Sequence, residues 1–227
     1  MNRTKIEWTD YTWNPITGCT RGCQYCYARR SALRMRGRFG YPQDNPFRPT
    51  FHESRLKEPS TVKGHALIFL CSMGEFYDPG VPEQWRERIY DQMEKNPNLV
   101  FQILTKQRII KPGLRSCFPK NMWIGITIDG TSDYWRKPLE DLRNIDNNIS
   151  FISFEPLLGD VLPDDFEFVD WAIVGARTGP GARPPDKDLV LSLVDKIDDM
   201  GIPLFVKPNL RKYYPGEEWA SRMEFPK

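Results

Sequence analysis

The sequence predicts an α/β protein built as a full or partial (βα) barrel, with six to seven parallel strands in a single domain over residues 1–227. Three observations predict it. Short runs of branched and aromatic residues recur along the chain, helical stripes lie between them, and each run gives way to polar or glycine residues at its carboxyl end.

The strands read in order as Ala66–Leu70, Leu99–Leu104, Met122–Ile128, Ile149–Phe154, Trp171–Gly175 and Ile202–Val206. Each is too apolar to leave one face in water, as expected of parallel strands covered on both sides. A weaker seventh lies near Tyr11–Asn14. Between strands, Trp85, Ile89 and Met93 recur at i, i+4, i+8, and Val190, Leu193, Val194 and Ile197 at i, i+3, i+4, i+7, the spacing of helices packed by one face. Trp135, Leu139 and Leu142 form a third stripe, whose helix Pro138 restricts to starting near it. Residues 37–59 differ: Pro42, Pro46, Pro49 and Pro59 with few aliphatic residues predict a long irregular insertion, which in a compact domain is usually functional.

The strand ends carry Ser72, Gly74 and Glu75; Thr105 and Lys106; Thr127 and Asp129; Glu155; Gly175 and Arg177; and Lys207. In a barrel these positions surround the pocket; polar residues that simply end a strand in a turn would read the same way.

Composition narrows the function classes. Forty per cent apolar and 27% charged residues are a soluble globular mixture, and no apolar run approaches the roughly eighteen residues of a membrane span. The N-terminal MNRTKIEWTD has no apolar leader core, so a cytoplasmic location is expected. With 32 Lys and Arg against 30 Asp and Glu, bulk charge neither demands nor excludes a nucleic-acid partner. Five cysteines, three of them within eight residues, suit a metal site in a reducing compartment better than a disulfide framework.

Those three form Gly18-Cys19-Thr20-Arg21-Gly22-Cys23-Gln24-Tyr25-Cys26-Tyr27, a C-x3-C-x2-C spacing. Chance produces a chosen spacing of this kind in about two of a thousand such chains. Three thiolates on one loop can hold three corners of a cuboidal iron–sulfur cluster, leaving one iron open to a small chelating molecule. Structural zinc would require a fourth ligand, for which only Cys71, Cys117, His52 and His65 are available. Cys71 and Cys117 read as ordinary buried cysteines.

The aromatic before the last cysteine, Tyr25, makes the motif resemble that of the radical SAM superfamily. The wider strings Thr12-Trp13-Asn14-Pro15, Leu104-Thr105-Lys106, Phe154-Glu155-Pro156-Leu157-Leu158-Gly159 and Gly179-Pro180-Gly181-Ala182-Arg183-Pro184 resemble the phage-associated three-cysteine-motif proteins. The resemblance implies a partial (βα) barrel and a [4Fe-4S] cluster on Cys19, Cys23 and Cys26. It further implies S-adenosylmethionine (SAM) on the open iron, cleaved to a 5′-deoxyadenosyl radical with an electron from an external one-electron reductant. It places Tyr25 against the SAM adenine, and Ser72, Gly74 and Glu75 where relatives hold the SAM amino group. The chain departs from the superfamily there, with Ser-Met-Gly-Glu for a Gly-Gly-Glu-Pro-like string, and from the narrower family at Gly175-Ala176-Arg177-Thr178, where Arg177 replaces the acid of a Gly-Gly-Glu-Ser string.

Further candidates follow from position. Thr127, Glu155 and Gly175 join the cofactor set; Glu155 either reaches the SAM ribose or is a solvated or ion-paired acid. Lys106, Arg177 and Lys207 are substrate candidates. Arg30, Arg34 and Arg38, drawn from five arginines at 29, 30, 34, 36 and 38, would share one helix face, as a solvated surface or as a phosphate track. The expected activity is radical chemistry on an unidentified substrate, with a nucleotide or nucleic acid as the first candidate. A peptide or partner protein as substrate, or a non-catalytic zinc- or cluster-binding module, are the alternatives.

Overall fold

Every apolar run named above forms a strand. The computed structural model describes residues 1–113, 117–146 and 148–226, and shows a mixed α/β protein with an eight-strand, mostly parallel main sheet. The chain divides into two compact units, Met1–Trp123 and Ile124–Lys227.

In the first unit, β1 (Asn2–Arg3) pairs antiparallel with β2 (Tyr11–Trp13), which lies parallel to the β-strand Ala66–Leu70. Two short strands precede that one in sequence, β3 (Ile16–Thr17) and β4 (Thr50–Phe51), and form a separate antiparallel pair, so Ala66–Leu70 is β5. β6 (Leu99–Thr105) lies parallel to β5 from the Ala66↔Leu99 pair onward. β5 and β6 are almost wholly buried, and β6 encloses two polar side chains, Gln102 and Thr105.

Two helices belong to this unit. α1 (Tyr27–Arg34) follows the cysteine loop directly. α2 (Glu83–Glu94) starts after Pro82, with Glu83 in its first turn, where the helix dipole favours an acid. Its predicted stripe is observed: Ile89 and Met93 are fully buried and Trp85 stacks on Phe51 with ring centroids 5.4 Å apart. Just past its end, one side chain gathers three carbonyls. Asn121 Nδ2 lies within 3.1 Å of the carbonyl oxygens of Met93, Asn96 and Leu99.

The second unit, which begins at the third residue of β7 (Met122–Thr127), pairs β7, β8 (Ser150–Phe154), β9 (Trp171–Val174) and β10 (Leu204–Val206) in that order, all parallel. The last three are buried at every position. Gly125 of β7 sits opposite Phe151 of β8, and a β-carbon there would lie 2.5 Å from the phenyl ring. α3 (Arg136–Arg143) carries Pro138 in its first turn, where no intrahelical N–H is required. α4 (Lys187–Asp199) is capped by the Asp186 carboxylate, which accepts from the Leu189 amide at 3.0 Å, and buries Val190, Leu193, Val194 and Ile197 as predicted. α5 (Pro208–Arg211) is a single turn after β10.

Three expectations are revised. The predicted insertion over 37–59 is irregular but not structureless, because β4 and two short 3-10 turns, Glu53–Arg55 and Glu58–Thr61, lie in it. β1 and the β3–β4 pair are too short to carry a pattern of their own. α1 ends at Arg34 and is capped by Met35, so Arg38 does not continue the helical face of Arg30 and Arg34. Among the described residues, no helix is long and apolar enough to cross a membrane.

Candidate functional site

The cysteine loop is built from its first glycine. Gly18 leaves β3 with φ +92°, and a β-carbon on it would lie 2.1 Å from the Arg48 carbonyl oxygen and 2.7 Å from that of Phe47. Only glycine allows both the left-handed turn and this approach of the proline-rich insertion. The turn delivers the Cys19 amide to the Phe47 carbonyl at 2.9 Å. On the other side, Gly18 donates to the Met73 carbonyl and accepts from the Glu75 amide, each at 3.0 Å, across a one-residue parallel bridge to Gly74.

Two buried acids fix the next residues. Asp78 is fully enclosed and accepts from the Thr20 amide at 2.7 Å, from the Thr20 hydroxyl at 2.9 Å and from the Gly80 amide at 2.8 Å. Glu75, 6% exposed, accepts from the Thr105 hydroxyl at 2.6 Å, the Tyr77 amide at 3.1 Å and the Lys106 amide at 3.2 Å. Burial raises the Glu75 pKa, and those three donors oppose the rise. The Arg21 guanidinium donates to the Lys106 carbonyl at 2.8 Å, and the Lys106 ammonium stands 5.5 Å from the Tyr25 ring centre.

The three thiols are free and half-buried. Cys19 Sγ accepts from the Arg21 amide at 3.3 Å, and Cys26 caps α1, its sulfur accepting from the Arg29 amide at 3.3 Å. Burial pushes the Cys19 thiol up to about 12; the Arg21 amide opposes this, while Glu75, Asp78 and the Cys23 thiol add to it. Among the described residues, no three His, Cys, Asp or Glu side chains form a group able to hold one metal ion. Cuboidal clusters make a different demand, because each thiolate binds its own iron and the sulfurs stand apart around a larger core. The donor types suit that demand: three thiols on one loop, backbone amides donating to two of the sulfurs, and one of those thiols at a helix N-terminus. A cation at Cys19 would also offset the cost of its burial beside two acids, since a metal-bound thiol is deprotonated.

The first unit holds Cys19, Cys23, Cys26, Tyr25, Ser72, Gly74, Glu75 and Lys106. Both Glu75 oxygens accept from protein donors. Ser72 Oγ bonds Asn14, its carbonyl accepts from Tyr27, and Gly74 lies against the Thr17 and Gly18 backbone. Cys71 is buried, and burial raises its thiol, but Cys117 is exposed rather than buried as expected. His52 is enclosed with its ring nitrogen 2.7 Å from the Thr17 hydroxyl, and burial lowers its pKa to about 4; His65 is exposed.

Arg30, Arg34 and Arg38 also belong to the first unit, and the remaining candidates to the second. Lys207 contacts both Glu155 oxygens at 2.8 and 2.9 Å, and Asn209 donates to Glu155 at 2.8 Å while exchanging two hydrogen bonds with the Ala176 backbone. Gly175 makes room for this cluster, since its β-carbon would sit 3.0 Å from the Glu155 side chain. Thr127 is buried and its carbonyl accepts from Tyr134. Arg177 stands outside the cluster, in a groove of about 710 Å³ shared with Arg183, Asp160 and Leu189. Asp78, Asn14 and Asn209 are not marked as site residues by strand end or motif; the Asp78–Thr20 link spans 58 positions and leaves no local signal.

Residues 3–215 match the model of a family described as a protein of unknown function, DUF5131. No curated protein and no solved structure matches the chain.

Proposed function

We propose that this chain, which belongs to the DUF5131 family, is a radical SAM enzyme with a full or partial (βα) barrel, acting in the cytoplasm on a substrate still to be identified, for which a nucleotide or nucleic acid is the first candidate. One observation carries the proposal: three free, half-buried thiols on a single eight-residue loop, two of them accepting backbone amides and the last capping a helix. Cys19, Cys23 and Cys26 would hold a [4Fe-4S] cluster. When bound with SAM on its open iron and supplied with one electron from an external reductant, such a cluster yields a carbon radical able to take hydrogen from a substrate.

The chain's own residues do the positioning. Asp78 and Gly18 set the loop's path, Glu75 ties the loop to the end of β6 through Thr105, and the Arg29 amide steadies Cys26. Tyr25 and Lys106 meet at one side of the loop, where an aromatic face and an ammonium suit an adenine and a carboxylate. Glu155, Lys207 and Asn209 form a polar cluster at strand ends of the second unit, assigned to holding that cluster's backbone and, through Lys207, to an anionic group.

Anaerobic reconstitution with iron and sulfide tests the reading. Native protein should take up about four irons, show broad visible absorption perturbed by SAM, and release 5′-deoxyadenosine on reduction. Cys23→Ala should lose all three. Uptake of one zinc per chain, with no nucleoside released, would replace the radical enzyme by a binding module.

A further inference from the structure

The chain's small net charge conceals a segregated one. Residues 11–52 contain seven arginines, no lysine and a single acid, Asp44, whereas the rest of the chain carries 25 basic residues against 29 acidic ones. The basic excess therefore sits entirely on the segment that holds the cysteine loop, α1 and the start of the insertion. Arg34, Arg36 and Arg38 are exposed, and among the described residues none of them pairs with a carboxylate. Arg36 donates to the Gln43 and Asp44 carbonyls and Arg38 to the Arg34 carbonyl, contacts that orient a guanidinium while leaving its charge and further N–H groups available. The segment's one acid is taken by Arg48 at 2.6 Å.

An aromatic side chain stands among these charges in a conformation that packing does not explain. Phe39 is 70% exposed and has φ +54°, a left-handed backbone uncommon for a bulky residue. Its carbonyl is held by the Arg55 guanidinium at 2.6 Å, between Gly37 at φ +69° and Gly40 at φ +84°. Tyr27, 50% exposed, shares the α1 face of Arg30 and Arg34. Strain retained on an exposed ring is a mark of function rather than of stability.

We infer that this surface, Tyr27, Arg34, Arg36, Arg38 and Phe39, binds single-stranded nucleic acid. Unpaired bases offer faces to stack on Phe39 and Tyr27 while phosphates meet the unneutralised guanidinium groups. A duplex hides its base faces, and an acidic peptide has nothing for the rings. That the strand is also the enzyme's substrate rests on the radical SAM reading; the binding is measured with and without reconstituted cluster, so either reading can fail alone.

Fluorescence anisotropy of the full chain against labelled single strands, a duplex and a polyglutamate peptide tests the surface. Single strands should bind best. Removing Arg34, Arg36 and Arg38 together as alanines should flatten the log–log salt slope by about 2. Phe39→Gly should weaken single-strand binding about tenfold with the slope unchanged, and should raise the melting temperature, because glycine relieves the left-handed strain. A purely structural Phe39 gives the opposite melting shift. Equal affinity for duplex or peptide, or unchanged affinity in the triple variant, overturns the inference.

Discussion

Replacing Gly18 by alanine probes whether the insertion holds the cysteine loop, and Gly22 provides the internal comparison. Both have left-handed backbones, φ +92° and +83°, so alanine at either costs about 1 kcal/mol in backbone strain. They differ in surroundings: nothing lies within 4 Å of a β-carbon at Gly22, whereas at Gly18 it would lie 2.1 Å from one carbonyl oxygen and 2.7 Å from another. Backbone oxygens cannot swing away like a side-chain tip, so relief requires separating residues 47–48 from the loop. That breaks the Cys19–Phe47 hydrogen bond and strands its groups, at a further cost of about 1–3 kcal/mol. Gly18→Ala should therefore lose about 2–4 kcal/mol and Gly22→Ala about 1 kcal/mol. Urea unfolding gives both values, and thiol titration should show faster modification of Cys19 only in the first variant. Equal losses would refute the argument that the insertion packs on Gly18.

Three further outcomes are expected. His52 is neutral in the fold, with its pKa lowered from 6.5 to about 4 by burial, while an unfolded chain protonates it near 6.5. Its contribution to stability is intact above that value and falls with pH by about 1.4 kcal/mol per unit between 6.5 and 4; His52→Gln should flatten this window in pH-dependent urea titrations, and an unchanged slope would exclude His52 as its source. Gly125→Ala drives a methyl into the Phe151 ring and should cost about 1–3 kcal/mol, with Phe151→Leu recovering part of it in the double variant by thermal melting. Asn209→Ala removes two bonds to the Ala176 backbone and one to Glu155 and should cost about 2–4 kcal/mol, a loss that amide exchange at Ala176 would locate.

What the sequence made legible follows physical range. β5 is legible to the residue, because Ala66–Leu70 is apolar throughout, with Gly64 and His65 before it and Ser72 shortly after. The α4 stripe emerged intact because periodicity is a local property. β1, β3 and β4 were invisible, since two-residue strands exist only through their partners. In the candidate site, the cysteines announce themselves by spacing, while Glu75 looks like any strand-end acid until Thr105, thirty residues on, is seen donating to it. Likewise the arginines look helical as far as Arg38, although the helix closes at Arg34.

The hydrogen bonds around the cysteine loop are unevenly shared. Positions 18–20 are committed on every side, to residues 47, 73, 75 and 78, and Cys26 is committed to α1. Between them, among the described residues, the sulfur of Cys23 accepts no hydrogen bond, and it follows a glycine with open space around it. Two sulfurs are therefore held by backbone amides and the middle one is not. Were the proposed cluster to bind here, it would meet a frame whose ordering cost was largely met during folding, with one short span of chain left to fix.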